Sequence, residues 1–165
     1  GIWVFEKEWL QKVRKFCTKN DILLIVDDIQ VGCARTGTFF SFERAGIVPD
    51  MVVLSKSIGG YGMPFALTLF KPELDVWNPG EHNGTFRGCQ LSMVAGLAAL
   101  EMTVEQDIPA QVKAKEKIVK EYLEKEVKPL LKDGMVIRGI GLTWGIEFND
   151  GKLARAVLDR CFEKK

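Results

Sequence analysis

Ile22-Leu23-Leu24-Ile25-Val26-Asp27-Asp28 and Met51-Val52-Val53-Leu54-Ser55-Lys56-Ser57-Ile58-Gly59-Gly60 are the two stretches that decide the fold. Each opens on a continuous apolar run rich in β-branched residues, the pattern of a parallel strand buried on both faces. Each closes on polar groups: two carboxylates after the first run, a lysine and a glycine-rich loop (Gly59, Gly60, Gly62) after the second. Ligands of open α/β sheets bind outside the carboxyl ends of the strands. The candidate site therefore lies where these two runs end.

The flanking sequence supports that frame. Residues 6–20 carry Trp9, Leu10, Val13, Phe16 and Cys17 at helical spacing, and Asn20-Asp21 ends the pattern. Residues 32–46 are loop-rich, and a short helix is expected within 40–45. Residues 65–70 predict a third strand after the glycine loop. Residues 91–105 predict a buried helix with small residues at Ala95, Gly96, Ala98 and Ala99. Pro109 suggests a boundary, dividing the chain into 1–108 and 109–165. A long helix is expected over 110–132, capped by Gly134, then short strands at 136–138 and 142–148 and a last amphipathic helix at 152–163. Helices and strands in alternation argue for an α/β fold with a largely parallel sheet.

Composition narrows the function. Lys and Arg number 23 against 22 Asp and Glu, a net charge of +1, so no strong field draws the chain to nucleic acid or an anionic membrane. Hydrophobic residues make up 47%, enough for a real core. The longest apolar run stops at Val26, far short of the roughly 18 residues of a membrane helix. Cys17, Cys33, Cys89 and Cys161 are far apart and form no metal or redox pair, as expected of reduced thiols in a cytoplasmic protein. No secretory leader is legible at the start. The sequence opens on Gly1-Ile2-Trp3 and closes inside a helical pattern, so it is expected to be a segment of a longer chain.

Taken singly, Asp27, Asp28 and Lys56 are ordinary: a turn cap, a solvated carboxylate, a surface amine. Together they match the needs of pyridoxal phosphate. A lysine forms the Schiff base, and an aspartate pairs with the protonated pyridine nitrogen and keeps the ring an electron sink. The glycine loop is not a GxGxxG after the first strand, so a dinucleotide site does not fit.

The specific signal is Val26-Asp27-Asp28-Ile29-Gln30-Val31-Gly32-Cys33-Ala34-Arg35-Thr36-Gly37, followed by Pro49-Asp50 and Leu54-Ser55-Lys56-Ser57. This resembles the core signature of the class III (ω) aminotransferases, pyridoxal-phosphate enzymes of fold type I. Thr38-Phe39-Phe40-Ser41-Phe42-Glu43, Ser57-Ile58-Gly59-Gly60-Tyr61-Gly62 and Gly80-Glu81-His82-Asn83-Gly84-Thr85-Phe86-Arg87-Gly88 are similar to the branch of that family acting on L-2,4-diaminobutyrate and 2-oxoglutarate in ectoine biosynthesis. Other ω-aminotransferases (ornithine or 4-aminobutyrate type), an aminomutase, or a truncated non-catalytic α/β piece are the alternatives.

The resemblance implies the second half of the large domain plus the start of the small C-terminal α+β domain. It implies Lys56 as the Schiff-base and proton-shuttling lysine, Asp27 as the pyridinium partner, Ile29 under the ring and Gln30 on the ring hydroxyl. It implies that Thr85 reaches the cofactor phosphate of a neighbouring subunit, hence a homodimer or higher homo-oligomer. Arg138 is similar to the arginine that grips a substrate carboxylate, with a surface salt bridge as its alternative. Amino-acid and 2-oxo-acid substrates follow, with no nucleic acid and no membrane. His82, the one histidine, is expected to be structural or partner-facing, and Trp77 and Trp144 to pack in the core or at a subunit interface. Cys89 and Ala34 depart from the family's usual Asn and Gly. The family's upstream phosphate loop and ring-stacking aromatic have no counterpart in these residues.

Overall fold

The computed structural model describes residues 2–60, 62–85 and 87–164. Tyr61 of the glycine loop and Phe86 of the 80–88 motif lie outside the described residues.

Helix α1 (Lys7–Lys19) leads into β1 (Ile25–Asp27). Strands β2 (Met51–Leu54) and β3 (Leu67–Phe70) complete a three-stranded sheet in the order β1-β2-β3. β1 and β2 are parallel, with Asp27 opposite Val53. β3 returns antiparallel, with Met51 opposite Phe70. The described sheet is thus mixed rather than largely parallel.

β1 starts three residues later than the apolar run. The cause is Asp50, whose carboxylate accepts from the Leu24 N–H at 2.8 Å while its own N–H donates to the Leu24 carbonyl at 2.9 Å. Arg14 and Lys71 hold the same carboxylate at 2.6 and 2.7 Å. One buried side chain so ties α1, β1 and the end of β3 together. These bonds hold the Asp50 carboxyl far below the ordinary carboxylate range.

The expected burial of β1 on both faces is not observed. Leu24 and Val26 pack toward the core formed by Phe42, Ala45, Ile47, Val52, Leu54 and Ile58, whereas Ile25 is 56% exposed. Among the described residues no layer covers its outer side. Helix α2 (Gln90–Glu105) shows the same imbalance. It was expected to be buried, yet Leu91 is 71% exposed, and only Ser92 and Gly96 are fully covered. The chain exposes 12074 Å², whereas a folded monomer of its mass exposes roughly 8,200 Å².

The covered face of α2 is made of small residues because it lies on the turn that follows β2. Ser92 Oγ donates to the Pro64 carbonyl at 2.8 Å. A Cβ on Gly60, whose φ is +67°, would stand 2.7 Å from the Ala95 carbonyl oxygen. Gly60→Ala therefore meets both backbone strain and a clash, and we expect a loss of about 2 kcal/mol in urea unfolding of the complete protein. An unchanged midpoint would contradict this packing.

Asp107 caps α3 (Ile108–Tyr122), its side chain accepting from the Ala110 N–H at 3.2 Å. Pro109 stands in the first helical turn, where its missing N–H costs nothing. The single helix expected over 110–132 instead loosens into a π turn at Leu123–Val127 and a 3-10 turn at Lys128–Leu130, where Pro129 cannot donate. Strands β4 (Val136–Ile140) and β5 (Thr143–Glu147) form an antiparallel hairpin, followed by α4 (Gly151–Glu163). The hairpin reaches the first sheet's loops: Leu142 N–H donates to the Arg35 carbonyl at 2.9 Å. Gly141 N–H donates to Glu116 of α3 at 2.8 Å.

Candidate active site

Parallel pairing of β1 and β2 sends Asp27 and Lys56 out from the same edge of the sheet. Lys56 follows β2 through Ser55 and has φ +53°. A left-handed backbone at a non-glycine residue costs about 1–2 kcal/mol and is found most often at functional sites. Its amine donates to the side-chain oxygen of Gln30. Two residues singled out separately in the sequence are thus in direct contact. Lys56 is exposed rather than desolvated, and it borders an open cleft of about 820 Å³ with Cys33, Gly60, Ala95, Ala98 and Met102.

Asp27 is also exposed. Its Oδ1 accepts from the Ile29 N–H at 3.0 Å. Asp27 is also among the residues lining a different, more enclosed cavity of about 350 Å³, with Trp3, Phe5, Trp9, Ile140 and Thr143. The structure therefore brings Lys56 and Gln30 together and places Asp27 on the neighbouring strand end, at the same edge of the sheet.

Asp28 differs from its neighbour. It is 1% exposed, and its carboxylate accepts from both the N–H of Ser41 (2.9 Å) and the Ser41 hydroxyl. Burial pushes the Asp28 carboxyl above its ordinary value against the pull of these bonds, and the nearby charges of Asp27 and Glu43 add to the rise. Sequence reading had no means to tell which of the two aspartates turns inward. The signal available was Ser41 in the motif, which offers a hydroxyl and an N–H to one acceptor.

The loop between them is strained. Cys33 and Ala34 have φ of +51° and +69°. Ala34 stands where the family resemblance leads one to expect glycine, and a left-handed backbone is the conformation that glycine adopts without strain.

Thr85 is exposed, just after Gly84. The segment around it is braced locally: Arg87 donates to the His82 carbonyl at 2.8 Å, and the His82 ring stacks on Trp77 with centroids 4.9 Å apart. His82 is thus engaged structurally, as expected of a non-catalytic histidine. Trp144 donates to the Gly141 carbonyl within the hairpin, whereas Trp77 is 41% exposed.

Arg138 sits in β4. It pairs with Glu147 of β5, donates to the Ile2 carbonyl at 2.8 Å and covers the Trp3 ring at 3.9 Å. This is the salt-bridge geometry, not a free guanidinium. The hairpin register sets Arg138 opposite Gly145 and Val136 opposite Glu147, which makes Arg138 and Glu147 diagonal neighbours on one face.

A lysine bonded to a glutamine at the carboxyl edge of two parallel strands, next to a glycine-rich turn, is the candidate site of this α/β segment. The chain matches the aminotransferase class-III family over residues 1–164 and belongs to that family. It is 52% identical to a diaminobutyrate–2-oxoglutarate transaminase of Streptomyces coelicolor, over 99% of this chain and 39% of that protein. It is 51% identical to one of Wolinella succinogenes, over 99% and 38%. The chain thus spans about two fifths of the length of the curated relatives it matches. Its fold is that of solved class-III enzymes. An acetylornithine aminotransferase from Elizabethkingia anophelis aligns with a TM-score of 0.82 at 28% identity, covering 91% of this chain and 37% of that one. A taurine:2-oxoglutarate aminotransferase from Bifidobacterium kashiwanohense, solved with PLP and glutamate, aligns at 0.76 and 28%, covering 84% and 31%.

Proposed function

We propose that the protein carrying this chain is a pyridoxal-phosphate aminotransferase interconverting L-2,4-diaminobutyrate plus 2-oxoglutarate with aspartate 4-semialdehyde plus glutamate. The observation that carries the reading is the Lys56–Gln30 contact at the carboxyl edge of two parallel strands. Identity near 50% to several diaminobutyrate transaminases supports the substrate.

The residues suit the cofactor. Asp27 keeps one oxygen beyond its bond to Ile29, available to a protonated ring nitrogen. Gln30 has an amide N–H₂ for the ring hydroxyl while its oxygen receives Lys56. Ile29 follows directly, as an apolar floor. When bound, the cofactor would supply a ring that takes up the electron pair released at the carbon bearing the reacting amine. Lys56 would supply the amine for the cofactor aldehyde and would move the proton of the carbon bearing the reacting amine, C4 of diaminobutyrate and Cα of glutamate. Asp27 holds the ring nitrogen protonated. Thr85 is assigned to the phosphate of a neighbouring subunit, which makes the assembly a homodimer or larger. We leave Arg138 out of this set, because Glu147 and the Ile2 carbonyl already engage its guanidinium.

No helix among the described residues is long and apolar enough to cross a membrane. All four cysteines are free, which supports a cytoplasmic location. The test is an amino-donor panel with the complete protein and 2-oxoglutarate. Diaminobutyrate is expected to exceed ornithine and 4-aminobutyrate in kcat/KM by at least about tenfold. Preference for ornithine would favour a second reading, motivated by the structural likeness to ornithine-type enzymes.

A further inference from the structure

We propose that Asp28 is a positioning residue: through Ser41 it clamps the loop 29–40 shut and so holds Gln30 against Lys56. The inference rests on the aminotransferase reading above for its consequence, but its geometry stands on the chain alone.

Asp28 is the pivot of this loop. Its N–H donates to the Val53 carbonyl at 2.9 Å, which fixes it to β2. Its carbonyl accepts from the Gly32 N–H at 2.8 Å, which closes the turn carrying Ile29 and Gln30 at its tip. Its carboxylate then reaches across to the far end of the loop, where Ser41 donates both N–H and hydroxyl. The turn is tight: a Cβ on Gly32 would stand 2.7 Å from the Asp28 carbonyl oxygen and 3.1 Å from its Oδ2. Within the clamp, Cys33 and Ala34 have positive φ, so the loop is held in a conformation that these two residues do not favour locally. An ionisable group this deeply buried is unfavourable unless its bonds do something. Here they fix both ends of the segment that presents Gln30 to the lysine.

Three variants of the complete protein test this. Ser41→Ala removes the hydroxyl and keeps the backbone. Asp28→Asn keeps the shape but exchanges charge-assisted bonds for neutral ones of about half the strength. Ser41→Thr is the conservative rescue. The first readout is amide hydrogen exchange over 29–40 in the cofactor-free protein. The second is the dissociation constant for added pyridoxal phosphate. Loss of a bond to a buried charge predicts about tenfold faster exchange in the loop and about tenfold weaker cofactor binding for Ser41→Ala. Asp28→Asn is expected to move both by several-fold, and Ser41→Thr to restore them. KM for the amino donor is expected to stay within about twofold of the parent, because the clamp acts on the cofactor side.

Exchange and cofactor affinity within twofold of the parent in both Ser41→Ala and Asp28→Asn would overturn the proposal. So would a rise in exchange spread equally over α1 and β2, which marks a general loss of stability. Failure of the aminotransferase reading is separate. It would show as pyridoxal phosphate binding that does not depend on Lys56, whatever the loop's exchange reveals.

Discussion

Replacing Lys56 with alanine in the complete protein is expected to lower transamination by roughly 10³-fold or more, because one side chain supplies both the amine for the cofactor and the base that moves the proton of the amine-bearing carbon. Lys56 is exposed, and its visible side-chain partner is Gln30. Its removal therefore takes little from the fold, and the melting temperature should stay within a few degrees. Loss of activity without loss of structure separates chemistry from stability. A variant that keeps more than a tenth of parental turnover would remove Lys56 from the mechanism. Gln30→Ala is a weaker version of the same test, since it strips the amine of its hydrogen-bond acceptor and leaves the amine in place.

Asp50→Ala is the largest expected effect on stability. The carboxylate is shared by Arg14, Lys71 and the Leu24 N–H, and 8% of the side chain is exposed. Removing one partner of a buried ion pair costs about 3–5 kcal/mol, since the remaining charges are left unpaired. Lys71 is half in water, which places the expected loss near the lower figure. Urea unfolding reads it directly, and a loss below 1 kcal/mol would show that the cluster is not what joins α1 to the sheet.

The same group sets the acid limb of stability. Its folded carboxyl lies far below its unfolded value of about 3.9. Its stabilisation is therefore fully present above about pH 5 and is lost as the pH falls below about 4 toward the folded value. Asp28 works in the opposite sense, since its raised carboxyl takes up a proton more readily in the folded state. Asp50→Asn should flatten the acid limb, and an unchanged pH profile would contradict the assignment.

Sequence alone revealed the strand ends because runs of apolar residues stop there on charged groups. That is how Asp27 and Lys56 could be paired before any geometry was known. Helix α1 was equally plain, since its apolar spacing is regular and Asn20 ends it. The antiparallel return of β3 was not legible, because strand direction is set by connection and pairing rather than by residue type. Nor was the late start of β1, which depends on one carboxylate reaching back from Asp50. The apolar residues of β1 and α2 that stay exposed belong to a chain spanning about two fifths of its relatives' length, and residue type does not say which element covers them. At Arg138 the partner was not legible: it depends on the hairpin register, which makes Glu147 the diagonal neighbour. Asp28 and Asp27 are adjacent and identical in type, and only the fold distinguishes the buried clamp from the exposed carboxylate.

The central claim is that Lys56 is the residue that meets pyridoxal phosphate. The most direct measurement is borohydride reduction of the complete protein loaded with the cofactor, followed by peptide mass spectrometry. The account predicts a single pyridoxyl adduct on the peptide containing Lys56. An adduct on another lysine, or none in protein that binds the cofactor, would contradict it.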